Sequence, residues 1–138
     1  ELHHYSTAVM SPNGFSAGGN PHGIENCSTV PNTINEMLMQ SHEGVLRFFP
    51  VWPTDKDARF GTLRARGAFL VSAELKGGVI GGVRILSERG RDCTVQNPWP
   101  GNTVTVIRNG RVDKSLTGAR LLLGASPNET IELMAKTP

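Results

Sequence analysis

The stretch TVTVIRNGRVDKSL, residues 103–116, decides the fold. Two β-prone runs flank Asn109-Gly110, and that dipeptide supplies the two successive positive φ angles that a type I′ turn demands. The stretch is a hairpin. Working outward, Phe69, Val71, Ala73 and Leu75 are apolar while the residues between them turn polar, the period of a strand with one buried face. Lys76-Gly77-Gly78 then turns the chain, and residues 79–87 return along it. Residues 119–123 and 129–134 add further short runs at similar spacing. The expectation is a mainly β fold, an antiparallel β-sandwich of about eight short strands preceded by a long loop and one α-helix.

Residues 1–28 are rich in Gly, Ser, Asn and His and keep no helix or strand period, so they are expected to be loop. Structureless stretches longer than about 12 to 15 residues in compact domains are mostly functional loops or linkers, and this one is expected to lie over a partner surface. Ser28-Thr29 offers a helix cap, Pro31 suits a first turn, and Ile34, Met37, Leu38 and Ser41 share one helical face. A helix is expected over 31–41, ended by Gly44. Val45, Leu46, Phe48, Phe49 and Val51 follow as a β-prone run, and Thr54-x-x-Asp57 resembles a capping pair that opens a single helical turn.

The chain has 138 residues, room for one core, and its 14 Lys and Arg nearly balance 12 Asp and Glu. No strong field steers it to nucleic acid, and the basic cluster from Arg84 to Arg91, which includes Glu88, is expected to be a solvated strand end. No apolar run approaches the roughly 18 residues that span a bilayer, so no membrane partner is expected. Cys27 and Cys93 lack metal-ligand spacing and are expected as two unpaired thiols, Cys27 in a loop and Cys93 in a strand. Adjacent His3 and His4 cannot complete a metal site. No metal and no cofactor is implied.

A β-sandwich hosts many unrelated functions, so chemistry must come from particular residues. The segment INEMLMQSHEGVLRFFPVWP, residues 34–53, resembles the EMLLQSH-(D/E)-G signature of glycoside hydrolase family 95, the inverting α-L-fucosidases and their relatives. Leu63-Arg64-Ala65-Arg66-Gly67-Ala68-Phe69 is similar to the LRARGGF that follows it in that family. The resemblance implies that residues 1–42 are the tail of an (α/α)6 catalytic barrel, loop plus last helix, and that residues 43–138 are a C-terminal β-sandwich domain. The partner would be the rest of a parent glycosidase chain, with an oligosaccharide as the parent's substrate. A periplasmic or secreted bacterial protein would fit.

In the fucosidases a DGNFGG loop precedes the signature helix, and its Asp helps to activate water. Counting back from Glu36 puts Glu25 at that position, one methylene longer, which makes it the candidate general base. Asn26 and Cys27 replace the next residues and the paired glycines are lost, so a relative with another glycoside substrate fits as well. His22 and Asn26 are candidate substrate contacts beside Glu25. Inverting hydrolysis needs an acid and a base carboxyl roughly 6.5 to 9.5 Å apart. In the family the acid comes from an earlier barrel helix, so the isolated chain is expected to be inactive.

Trp52 and Trp99, each beside prolines, are sugar-stacking candidates if the chain is a free-standing carbohydrate-binding module, which is the alternative function. Their ordinary role is core or interface. With five Phe, two Trp and one Tyr in the chain, few aromatic side chains are left to face a ligand. Arg64 and Arg66 are expected to pair with carboxylates, and His42 to bond carbonyls at the helix end. The apolar stripe of Ile34, Met37 and Leu38, once cut from a barrel, would fold back on the sheet or pair with a second copy as a homo-oligomer.

Overall fold

A computed structural model of the chain describes residues 9–10, 16–17 and 24–136, with side chains from Val30 onward. The chain divides into two compact units at Glu36/Met37. In the first, strand β1 (Val9–Met10) pairs antiparallel with β2 (Ser16–Ala17) through Val9↔Ala17 and Met10↔Ser16. Helix α1 runs Ile24–Leu38 with Pro31 inside it. The helix therefore starts earlier than its sequence signals place it, so Glu25, Asn26 and Cys27 are helical and not loop. Pro31 has no N–H to donate four residues back, so α1 runs through a gap in its ladder that local propensity would have put at its start. Ile34 is 43% exposed, whereas Leu38 packs against the sandwich core.

In the second unit α1 gives way at once to β3 (Met39–Gln40), which turns through His42–Gly44 and pairs with β4 (Val45–Phe48). The expected helix to residue 41 thus stops three residues short. Glu43 and Gly44 have φ of 55° and 71°, and these two left-handed residues make the corner. Gly44 ends a hairpin turn here instead of a helix. The Thr54–Asp57 segment forms no helical turn. The Lys56 N–H bonds the Pro53 carbonyl, and Asp57 Oδ1 is spent on the N–H of Gly77 at 2.8 Å.

The remaining strands are β5 (Ala58–Ala65), β6 (Phe69–Lys76), β7 (Val79–Ser87), β8 (Cys93–Gln96), β9 (Val104–Arg108), β10 (Arg111–Leu116), β11 (Arg120–Leu123) and β12 (Glu129–Ala135). Among the described residues they form a six-stranded sheet, β10-β9-β12-β7-β6-β5, and a four-stranded sheet, β11-β8-β4-β3. The mainly β sandwich is as expected, with two differences: its sheets hold ten strands where about eight were expected, and β4 and β8 pair in parallel, Leu46 against Val95. Strand register sets the core. Ala73, Val83, Leu133 and Val106 align across four strands of the larger sheet, and Leu46, Val95 and Leu121 across three of the smaller. Both rows are buried and belong to one apolar cluster.

The turns follow their chemistry. Asn109 and Gly110 have φ of 48° and 79°, the pair of left-handed residues expected of the hairpin that joins Arg108 to Arg111. The Lys76–Val79 turn likewise has Gly77 and Gly78 at positive φ. Cys93 is a buried free thiol in β8, and burial pushes its pKa up to about 12. It packs in the apolar core.

Candidate functional site

The two loops that carry Trp52 and Trp99 converge on one pocket. Asn97, only 4% exposed, organises the second loop. Its amide nitrogen donates to the carbonyls of Gly118 (2.9 Å) and Asn102 (3.2 Å), and its Oδ1 accepts from the Trp99 N–H at 2.9 Å. Its own backbone N–H bonds Ala119 at 2.9 Å. A buried amide satisfied this fully fixes the loop, because any shift would strand a polar group without water.

Trp99 is consequently held as a wall of the pocket, buried to 8% exposure, with Nε1 donating to the Ile80 carbonyl at 2.7 Å. Trp52 is half-buried, and its Nε1 donates to the Lys56 carbonyl at 3.1 Å. Both indole donors are committed to backbone. Phe49 and Leu75 form the apolar side, and Pro98 and Pro100 flank Trp99. Thr54 and Asn102 are the polar residues that line this cavity of about 290 Å³. Among the described residues no charged side chain lines it.

The candidates named from sequence fall in both units. His22 lies outside the described residues. Glu25 and Asn26 are on the first turn of α1, and their side chains lie outside the description. Trp99 is in the sandwich, beside Trp52. Sequence reading singled out the two tryptophans separately; their meeting in one cavity, and the parts played by Asn97, Asn102 and Thr54, depend on loops between different strands. The Asn-Pro-Trp-Pro-Gly-Asn run, residues 97–102, was the available signal, being rich in turn formers around one aromatic.

The two stretches that carry the family resemblance do meet. Ser41 Oγ accepts the Arg66 N–H at 3.1 Å, and a small cavity of about 140 Å³ beside them is also lined by Gly67, Phe69 and Cys93. Gly67 sits at φ 92°, and a Cβ there would lie 2.6 Å from the Phe69 ring. Only glycine fits. These motif residues therefore act structurally, locking the corner before β4 to the turn between β5 and β6. Arg64 pairs with Glu88, through contacts of 2.5 and 3.2 Å, as expected of it. Arg66 uses its backbone instead.

Among the described residues no group of three or more His, Cys, Asp or Glu comes together as a metal site, and no helix is long and apolar enough to cross a membrane. No family model and no curated protein matches the chain. Among solved structures it is similar to a GH30 endoxylanase from Clostridium papyrosolvens, at 11% identity and a TM-score of 0.42, over 59% of this chain. The chain spans about a quarter of that enzyme's length, 24%. A likeness this distant carries neither family nor substrate across.

Proposed function

We propose that the chain is the C-terminal portion of a bacterial glycoside hydrolase similar to family 95, an inverting α-L-fucosidase or a relative with another glycoside substrate. In this reading residues 1–42 close the catalytic barrel and the sandwich from 43 onward is an accessory domain that braces it. The observation that supports it is the contact of Ser41 with Arg66. The two stretches that resemble the family signature, separated in sequence, meet at the corner between β3 and β4.

Glu25 is then the general base that activates water, and His22 and Asn26 contact the oligosaccharide beside it. The leaving oxygen must be protonated by a carboxylic acid from the parent barrel, so the 138-residue chain alone turns nothing over. The test is done in the longer protein that contains this sequence. Glu25→Ala is expected to lower turnover of aryl glycosides by at least about 10²-fold, the ordinary worth of general-base help, while substrate still binds. An unchanged rate would remove Glu25 from the mechanism. Turnover by the isolated chain, abolished by the same substitution, would remove the need for a barrel.

A further inference from the structure

We propose that the pocket between Trp52 and Trp99 binds the ring of an uncharged sugar. The inference goes beyond the glycosidase assignment, since it stands whether the sandwich braces a barrel or works alone. Three observations lead to it, and each constrains the ligand differently.

The first is size and shape. A cavity of about 290 Å³, open at the surface and walled by two indoles and two prolines, accepts one ring-sized ligand. The second concerns hydrogen bonding. Because Trp52 Nε1 and Trp99 Nε1 already donate to Lys56 and Ile80, the indoles offer carbon surface only. The negative face of an indole attracts the weakly positive C–H groups on one side of a pyranose. The hydroxyls of the ring then need other partners. Thr54 and Asn102 are the polar residues that line the same pocket, and neither side chain bonds another protein group among the described residues. An amide both donates and accepts, as does a hydroxyl, which matches adjacent sugar hydroxyls better than it matches a carboxylate or an ammonium.

The third observation is charge. With no Lys, Arg, His, Asp or Glu in the lining, an ionic ligand would lose hydration and gain no partner. A uronic acid is thus disfavoured against its neutral counterpart. The pocket is also prepared in advance, because Asn97 fixes the Trp99 loop and both indoles are pinned by backbone carbonyls. Little ordering is left for binding to cost.

The chain has two Trp, so its indole N–H resonances provide two reporters. Nuclear magnetic resonance titration of the full chain with D-xylose, L-fucose, D-galactose and D-glucose is expected to move the Trp52 resonance saturably for at least one sugar, with a Kd of millimolar order, roughly −4 kcal/mol. D-glucuronate should bind that site at least tenfold more weakly than D-glucose. Asn102→Ala, at an exposed side chain, should weaken the preferred sugar about fivefold with the fold intact, and Trp52→Ala should abolish its effect on the Trp99 resonance. Cyclohexanol is the apolar control. No saturable shift with any neutral sugar overturns the proposal. So does cyclohexanol binding as tightly as the best sugar, or an Asn102→Ala protein that binds as well as the parent.

Discussion

Strands β12 and β10 lie two places apart in the same sheet, yet they are held there by different forces. In β12, Ile131 and Leu133 are wholly buried and face Ile85 and Val83 on one side and strand β9 on the other. In β10 every residue from Arg111 to Ser115 is exposed and only Leu116 is half-buried. Burial positions the central strand. The outer one is placed by its turn and by a cluster of charges, which shows that a strand can be specified with almost no apolar area to lose.

That charge cluster centres on Arg108. After Val104 and Val106 it is the next residue on the inward face of β9, so it stands where the core meets the margin. Its Nε bonds Asp113 and its Nη1 bonds Glu129, both at 2.8 Å. Asp113 is the residue at the register shift between Val112 and Lys114, and the irregularity brings its carboxylate within reach of the guanidinium. Glu129 also accepts the Ser126 N–H at 2.8 Å. Burial works against the charge of Arg108, but the hydrogen bonds to Asp113 and Glu129 outweigh it and hold its pKa above the ordinary arginine value. An inward charge near an edge also discourages the sheet from adding a foreign strand.

The largest effect should come from the centre. Leu133→Ala removes a fully buried side chain, and such truncations cost about 2 to 5 kcal/mol through lost burial and a residual cavity. Val112→Ala, at a β10 position 73% exposed, should stay within about 0.5 kcal/mol of the parent. Urea unfolding of the two variants measures the contrast directly. Equal losses would mean that β10 is packed against something, and the distinction between the strands would fall.

Next is Arg108→Met, which leaves Glu129 facing the core margin without its cation. Breaking a buried pair costs about 3 to 5 kcal/mol, but Arg108 is 20% exposed, so a loss of about 2 kcal/mol is expected. Adding Glu129→Gln should recover part of it, because the stranded carboxylate is then gone. A double variant less stable than Arg108→Met alone would show that Glu129 serves Ser126 more than it serves Arg108.

The contrast also explains what sequence revealed. Strand β6 was legible because Phe69, Val71, Ala73 and Leu75 alternate, and burial follows that alternation residue by residue. The β9–β10 hairpin was legible from Asn109-Gly110 although β10 buries almost nothing, since turn chemistry is local. What failed was non-local. Met39 and Gln40 carry no strand signal of their own and become β3 only because β4 offers them a ladder, so a helix was expected there. The parallel pairing of β4 with β8 joins segments nearly fifty residues apart that no pattern relates. Of the candidate site, the two tryptophans stood out by type and by their prolines, while Asn97, Asn102 and Thr54 read as ordinary loop residues. Their value comes from which backbone groups they meet, and from those they do not.

The smallest effect tests the rule from the other side. Arg64 and Glu88 form a short, two-pronged ion pair, yet Arg64 is 63% exposed and Glu88 32%. The hydrogen bond from Arg64 holds the Glu88 carboxyl below its ordinary range, with the positive charges of Arg64 and Arg89 adding to it. A carboxyl depressed on folding stabilises the folded state above the ordinary glutamate value, and that contribution is lost as pH falls through the lower folded value. Any benefit from Glu88 is therefore present at neutral pH and absent in acid. It should nevertheless be slight, because water and salt screen both partners and ordering two long side chains opposes the attraction. Glu88→Gln is expected to unfold within error of the parent at neutral pH in physiological salt, and a small deficit should emerge only at low ionic strength. At a pH well below the carboxylate range even that deficit should vanish. A large loss at neutral pH, insensitive to salt, would mean that this exposed pair pins the β5–β6 corner as firmly as Arg108 pins the β9–β10 hairpin, and exposure would then be a poor guide to which charges hold this sandwich together.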